Sequence, residues 1–178
     1  MGQVPTVIKS ILDGSAMPLP TPGSPMPAFS VSAAVSGREI NPAAFKGRRA
    51  VLVLHGSKST DAAKDVSKAL RAKYKPSDVF SASIVDLRSF GGLWKKVAEA
   101  QVKSNYEKMA GKVKEAQPGE DPADWVVICP DWDGSVGSGL GVEDPDTNPT
   151  VLVVGADGKV KGALQGPGLG EKTMALLG

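Results

Sequence analysis

Chemistry in this chain is concentrated in one short stretch, His55-Gly56-Ser57-Lys58-Ser59-Thr60-Asp61, which follows the apolar run Val51–Leu54. An imidazole, two serines and an aspartate suggest nucleophilic catalysis, in which a base takes the hydroxyl proton and an acid orients the base. His55 ends a buried-looking strand, however, so a packed side chain is the expected reading. Lys58 and the helix start that follows could hold an anion, as any open helix N-terminus can.

Elsewhere the reactive groups are isolated. Cys129 is the chain's single cysteine and His55 its single histidine, which excludes an intramolecular disulfide, a multi-cysteine zinc site and any site needing two imidazoles. Cys129 ends the apolar run "WVVIC", where a buried, inert thiol is the expected reading and a lone redox sensor the alternative; Asp131 nearby would raise its pKa. "DWDGS" opens like a calcium loop, but Val136 and Val142 stand where that pattern needs glycine and glutamate. The glycines around 134–141 lack the strand and acidic residue of a dinucleotide fingerprint. Glu143, Asp144 and Asp146 in "EDPDTNP" read as a solvated acidic loop. No pattern calls for a cofactor or a metal.

The elements that must position these groups are legible from patterning. At 178 residues, with 41% hydrophobic and 22% charged residues, the chain suits one globular domain plus a tail. A net charge of +2 and 5% aromatics speak against nucleic acid as a partner. No apolar run reaches membrane-span length and no signal-peptide core is present, so the expected setting is intracellular, or an organelle if a transit peptide has been removed. Residues 1–27 form an arm. "PTVIKSILDG" suits a short amphipathic helix with Val7, Ile8, Ile11 and Leu12 on one side. Pro18, Pro20, Pro22, Pro25 and Pro27 then enforce an extended course, either a free tail or a strap on a partner or on the chain's own core.

Residues 28–178 read as β-β-β-α-β-α-β-(α)-β-β-α. Helices are expected over residues 60–74 and about 91–115, the latter with Trp94, Ala98, Val102, Tyr106, Met109 and Val113 facing the core, backed by Leu93, Val97 and Ala110, and with its lysines solvated. "WVVIC" is expected as a strand after a loop "QPGEDPAD". "TVLVVGADGKVKGAL" is a hairpin turning at Asp157-Gly158. The fold class is α/β: a three-layer sandwich with a mixed sheet, flanking helices and a proline-rich N-terminal extension.

This order resembles the thioredoxin-like redoxins, the branch of thiol–disulfide interchange proteins and alkyl-hydroperoxide-reductase-type peroxiredoxins. The likeness runs from Ala28 to Leu177 and rests on "FSVSAAVSGREINPAAFKGRRAVLVL", "DWDGSVGSGLGV" and "NPTVLVVGADGKVKGALQG". The resemblance implies a cis-proline at Pro149, and it places the family's Cys-x-x-Cys on Ser59 and Ala62. A serine and an alanine cannot exchange a disulfide, which needs an attacking and a resolving thiolate. Leu52, Gly56 and Ser59 likewise fail the peroxidase pattern of proline, threonine or serine, and cysteine. The expectation is therefore a redox-inactive module that binds a protein partner, through the arm or through a face of His55, Ser57, Lys58, Ser59, Thr60, Asn148 and Pro149. A divergent oxidoreductase using Cys129 is the alternative. The oligomeric state is left open.

Overall fold

The structure, a computed structural model, describes residues 17–178. The helix expected within residues 5–14 lies outside them.

The densest apolar run builds the centre of the sheet. β3 (Arg49–Gly56) is buried along almost its whole length, as a strand of valine and leucine covered on both faces should be. It pairs in parallel with β4 (Val79–Asp86), Val53 opposite Ser83, and antiparallel with β6 (Thr150–Val154), Val51 opposite Val153. β5 (Ile128–Asp131) adds to β4 in parallel, and β7 (Val160–Leu164) adds to β6 through the Asp157-Gly158 turn, giving the order β5-β4-β3-β6-β7. A two-residue hairpin, β1 (Val31–Ser32) with β2 (Glu39–Ile40), stands apart.

Strand alternation sends Val51 and Val53 to one face and Ala50, Leu52 and Leu54 to the other. On the first face they meet Val66 and Leu70 of α1 (Thr60–Lys73) and Leu169 and Leu177 of α5 (Leu169–Leu177). On the second they meet Ile40, Phe45, Phe80, Cys129, Leu140 and Val142. Each large aliphatic side chain buried in these layers contributes about 1.5–3 kcal/mol. α2 (Leu93–Ala116) packs its C-terminal half, Tyr106, Ala110 and Val113, against Val126 beside β5.

Two expectations change, and one choice between alternatives is decided. "WVVIC" is not one strand: Asp121 accepts the Ala123 N–H at 2.9 Å and Pro122 fills the first helical position, so Pro122–Trp125 form a helical turn, α3. The strand begins only at Ile128 and continues through Pro130, tolerated because β5 ends the sheet. The proline-rich stretch is a strap on its own core. Gly23 donates to the Val160 carbonyl at 2.8 Å, Val160 donates to that of Ser24 at 2.8 Å, and Leu19, Met26 and Phe29 pack on the second-face core. Lastly, the first turns of α2 do not face the core: Leu93 is 89%, Trp94 68% and Val97 59% exposed. The helical period runs on, but the core beneath it starts only at Ala98.

Candidate functional site

The turn between β3 and α1 stands at the carboxyl ends of β3 and β4, and the register of Leu54 opposite Thr150 brings Asn148 and Pro149 to the same end of the sheet. Ser57, Lys58 and Asn148 are exposed, while Ser59, Thr60, Ala62 and Pro149 are half-buried. The sequence-predicted residues are thus gathered in one place, but the His55 ring, the Ser59 hydroxyl, the Lys58 N–H and the Asn148 backbone are occupied by the chain itself.

Ser59 precedes the first residue of α1, yet its hydroxyl makes no cap to the helix. It accepts the Gly56 N–H at 2.9 Å and donates to the Pro145 carbonyl at 2.8 Å. The Lys58 N–H donates to Asp146 Oδ1 at 2.8 Å. The place in front of α1 where an anion could bind is therefore taken by a carboxylate of the chain. Gly56 is needed for this approach, because a Cβ there would overlap the Asp146 carboxylate. The segment 144–148 is also closed on itself: Asn148 N–H donates to the Asp144 carbonyl at 2.8 Å and Thr147 N–H to Asp144 Oδ1 at 3.3 Å.

These contacts overturn the cis-proline expectation. No cis peptide occurs among the described residues, so Asn148–Pro149 is trans. The Asn148 N–H is taken by Asp144, and its carbonyl accepts the Thr150 hydroxyl at 3.0 Å. The backbone groups expected to face an extended ligand are paired internally.

His55 is buried and serves neither Ser57 nor Ser59. Nδ1 lies 2.9 Å from the Gly56 carbonyl, which can only accept, so Nδ1 carries the proton. Nε2, 3.0 Å from Ser83 Oγ, is left to accept from that hydroxyl. Burial lowers the His55 pKa from 6.5, against the smaller upward pulls of the Gly56 carbonyl and the Asp146 charge. The imidazole is a neutral, doubly bonded core group, with a carbonyl where a catalytic triad holds a carboxylate.

Cys129 is fully buried in the second-face core. Desolvation alone pushes its pKa up to about 12, so burial, and not the Asp131 charge expected from the sequence, is the cause. A thiol so placed supplies almost no thiolate at neutral pH. Asp131 is turned instead to the next element, where its two oxygens accept the N–H groups of Val136, at 3.4 Å, and Gly137, at 2.9 Å, in α4 (Ser135–Gly139).

Sequence reasoning missed Pro145, Asp146 and Ser83. The acidic loop was visible, and read as solvated; half-buried Asp146 in fact closes the turn. Nothing in the local sequence marks Ser83 as the His55 partner, since that contact comes from strand register.

No protein-family sequence profile and no curated protein matches the chain. Solved structures do. The exposed lipoprotein thioredoxin Etrx1 of Streptococcus pneumoniae superposes with a TM-score of 0.57 at 16% identity, over 84% of this chain and 98% of that one. A putative thiol:disulfide interchange protein DsbE from Chlorobium tepidum gives 0.57 at 17% identity, over 89% and 99%. StoA from Bacillus subtilis gives 0.56 at 19%, over 88% and 100%. The fold is thioredoxin-like. Identities this low establish the architecture and leave the activity to the residues. In this thioredoxin-like chain Ser59 precedes α1 and Ala62 lies in its first turn, and the lone thiol lies in the core. Among the described residues no helix is long and apolar enough to cross a membrane.

Proposed function

We propose that the chain is a redox-inactive thioredoxin-fold module that acts by binding a protein partner, as a subunit or assembly component of a larger complex. The observation that carries this reading is the turn itself. It holds no thiol, and the Ser59 hydroxyl and Lys58 N–H in it are bonded to Pro145 and Asp146. Partner contact is assigned to the exposed side chains of Ser57, Lys58 and Asn148 with the ring of Pro149, because the described part of the arm is already engaged with its own core. An intracellular site of action belongs to the same proposal, and fractionation of the tagged chain tests it.

Insulin and peroxide reduction, measured for the native chain and for Cys129→Ser, test the redox half. Both chains are expected to run at the uncatalysed rate. Thiol-dependent turnover that disappears in Cys129→Ser would establish the divergent oxidoreductase instead. Affinity capture with Lys58→Glu and Asn148→Arg tests the binding half, since a partner of this face is lost from both variants and retained by the native chain.

A further inference from the structure

We infer that the cavity between α1, the start of β4 and α3 is a binding site for a carboxylate, held by the guanidinium of Arg71 beside Trp125.

Three elements meet there. Ser67 and Arg71 stand four residues apart on α1, so they share one face of that helix. Val79 and Ser81 stand two apart on β4 and share the sheet face that α1 covers, Ser81 lying opposite Val51. Asp124 and Trp125 complete the lining from α3. The space measures about 30 Å³, and the exposed residues Lys75 and Asp124 also line it, so it reaches the surface.

The cavity is supplied with donors and short of acceptors. Arg71 is half-buried, and burial pulls its pKa down with no neighbouring charge to offset it. Among the described residues no carboxylate forms an ion pair with it, and its one hydrogen bond, to the Trp125 carbonyl, is 3.5 Å long. Asp124, the acid on the lining, is held by Arg38 at 3.1 Å. The Trp125 Nε1–H is buried and meets no acceptor among the described residues. Desolvating a cation without a counter-charge is unfavourable, and an apolar side chain at position 71 would carry no such penalty. A guanidinium left unpaired beside an open space has the chemistry of an anion receptor.

Size and shape select the anion. One water needs about 10–15 Å³ of such space, so the cavity admits about two or three oxygen-sized groups. A carboxylate presents its two oxygens in one plane and matches the flat guanidinium fork, whereas a tetrahedral phosphate is bulkier. The site lies at the start of β4, and the Gly56–Ser59 turn lies at the carboxyl ends of the strands, so it does not depend on the redox-inactive reading.

Titration of the full chain with acetate, at neutral pH and constant ionic strength, tests this. The readout is the NMR resonance of the Trp125 indole N–H, assigned by its loss in Trp125→Phe. It is expected to shift to saturation with a midpoint on the order of millimolar. Arg71→Met is expected to weaken the affinity about tenfold or more, and Arg71→Lys, which keeps the charge without the fork, to fall between the two. Acetamide, the neutral isostere, is expected to leave the resonance in place. A shift that never saturates, equal affinity in Arg71→Met, a matching response to acetamide, or tighter binding of inorganic phosphate than of acetate overturns the inference. Should Arg71→Met fail to fold, unchanged affinity in Arg71→Lys overturns it instead. N-acetylaspartate N-methylamide identifies the source: saturation by this compound supports a carboxylate on a protein side chain, and saturation by acetate alone supports a free small acid.

Discussion

The turn at Gly56–Ser59 and the first turns of α2 are opposite in character. The first stands where the resemblance to thioredoxin-like redoxins implies a reactive turn, and here it is closed: the Ser59 hydroxyl, the Lys58 amide and the His55 imidazole all have partners within the chain. The second carries no reactive group, yet leaves three large apolar side chains in water. Buried polar groups must be bonded, so once the thiols are absent the turn is stable when the chain fills it. Exposed apolar surface has no internal remedy unless another segment covers it. The difference teaches that polar groups are closed by the chain's own partners, whereas an apolar face stays open wherever the core beneath it ends.

The comparison breaks most directly at Gly56. Gly56→Ala puts a methyl group into the Asp146 carboxylate, and overpacking of this kind costs about 1–3 kcal/mol. Urea unfolding reads it as a lowered midpoint, and an unchanged midpoint would mean that the 144–148 loop opens freely. Ser59→Ala removes one acceptor and one donor and leaves the Gly56 N–H unpaired, for an expected loss of about 1–2 kcal/mol.

A smaller effect is read through pH. Burial holds the folded His55 pKa below 6.5, so below that value the unfolded chain takes a proton that the folded chain refuses. Stability from this site is complete above pH 6.5 and declines as pH falls towards the folded pKa. Burial raises the Asp131 pKa, a contribution of opposite slope, so the effect is measured as the difference between the native chain and His55→Gln. The native chain should lose more stability on acidification, and equal losses would show that His55 is protonated when folded.

The smallest expected effect lies on α2. In a chain lacking residues 1–14, Trp94→Ala should change stability by no more than about 0.5 kcal/mol, because the side chain touches little. A larger loss there would mean that the described residues already cover it.

The legible part of this molecule was what period and punctuation determine. The run Val51–Leu54, the helix beginning at Thr60 and the Asp157-Gly158 hairpin were all readable, and with them the placement of Ser59 and Ala62 at the start of α1. What escaped depends on which element lies across from a residue. Trp94 and Val97 keep the helical period of Ala98 and Tyr106, but the core beneath α2 begins only at Ala98, so the same spacing is wet at one end and buried at the other. Pro130 looked like the end of a strand because nothing local says that β5 is an outer strand. Pro149 looked cis because neither the pairing of Asn148 with Asp144 and Thr150 nor the closure of the turn by Asp146 is written in the residues beside it.

The absence of a working thiol is tested most directly by labelling native Cys129 with an aromatic disulfide reagent at neutral pH. The account predicts that labelling proceeds only as fast as the chain unfolds and that the thiol titrates fully in guanidinium. Rapid stoichiometric labelling of the folded chain would contradict it.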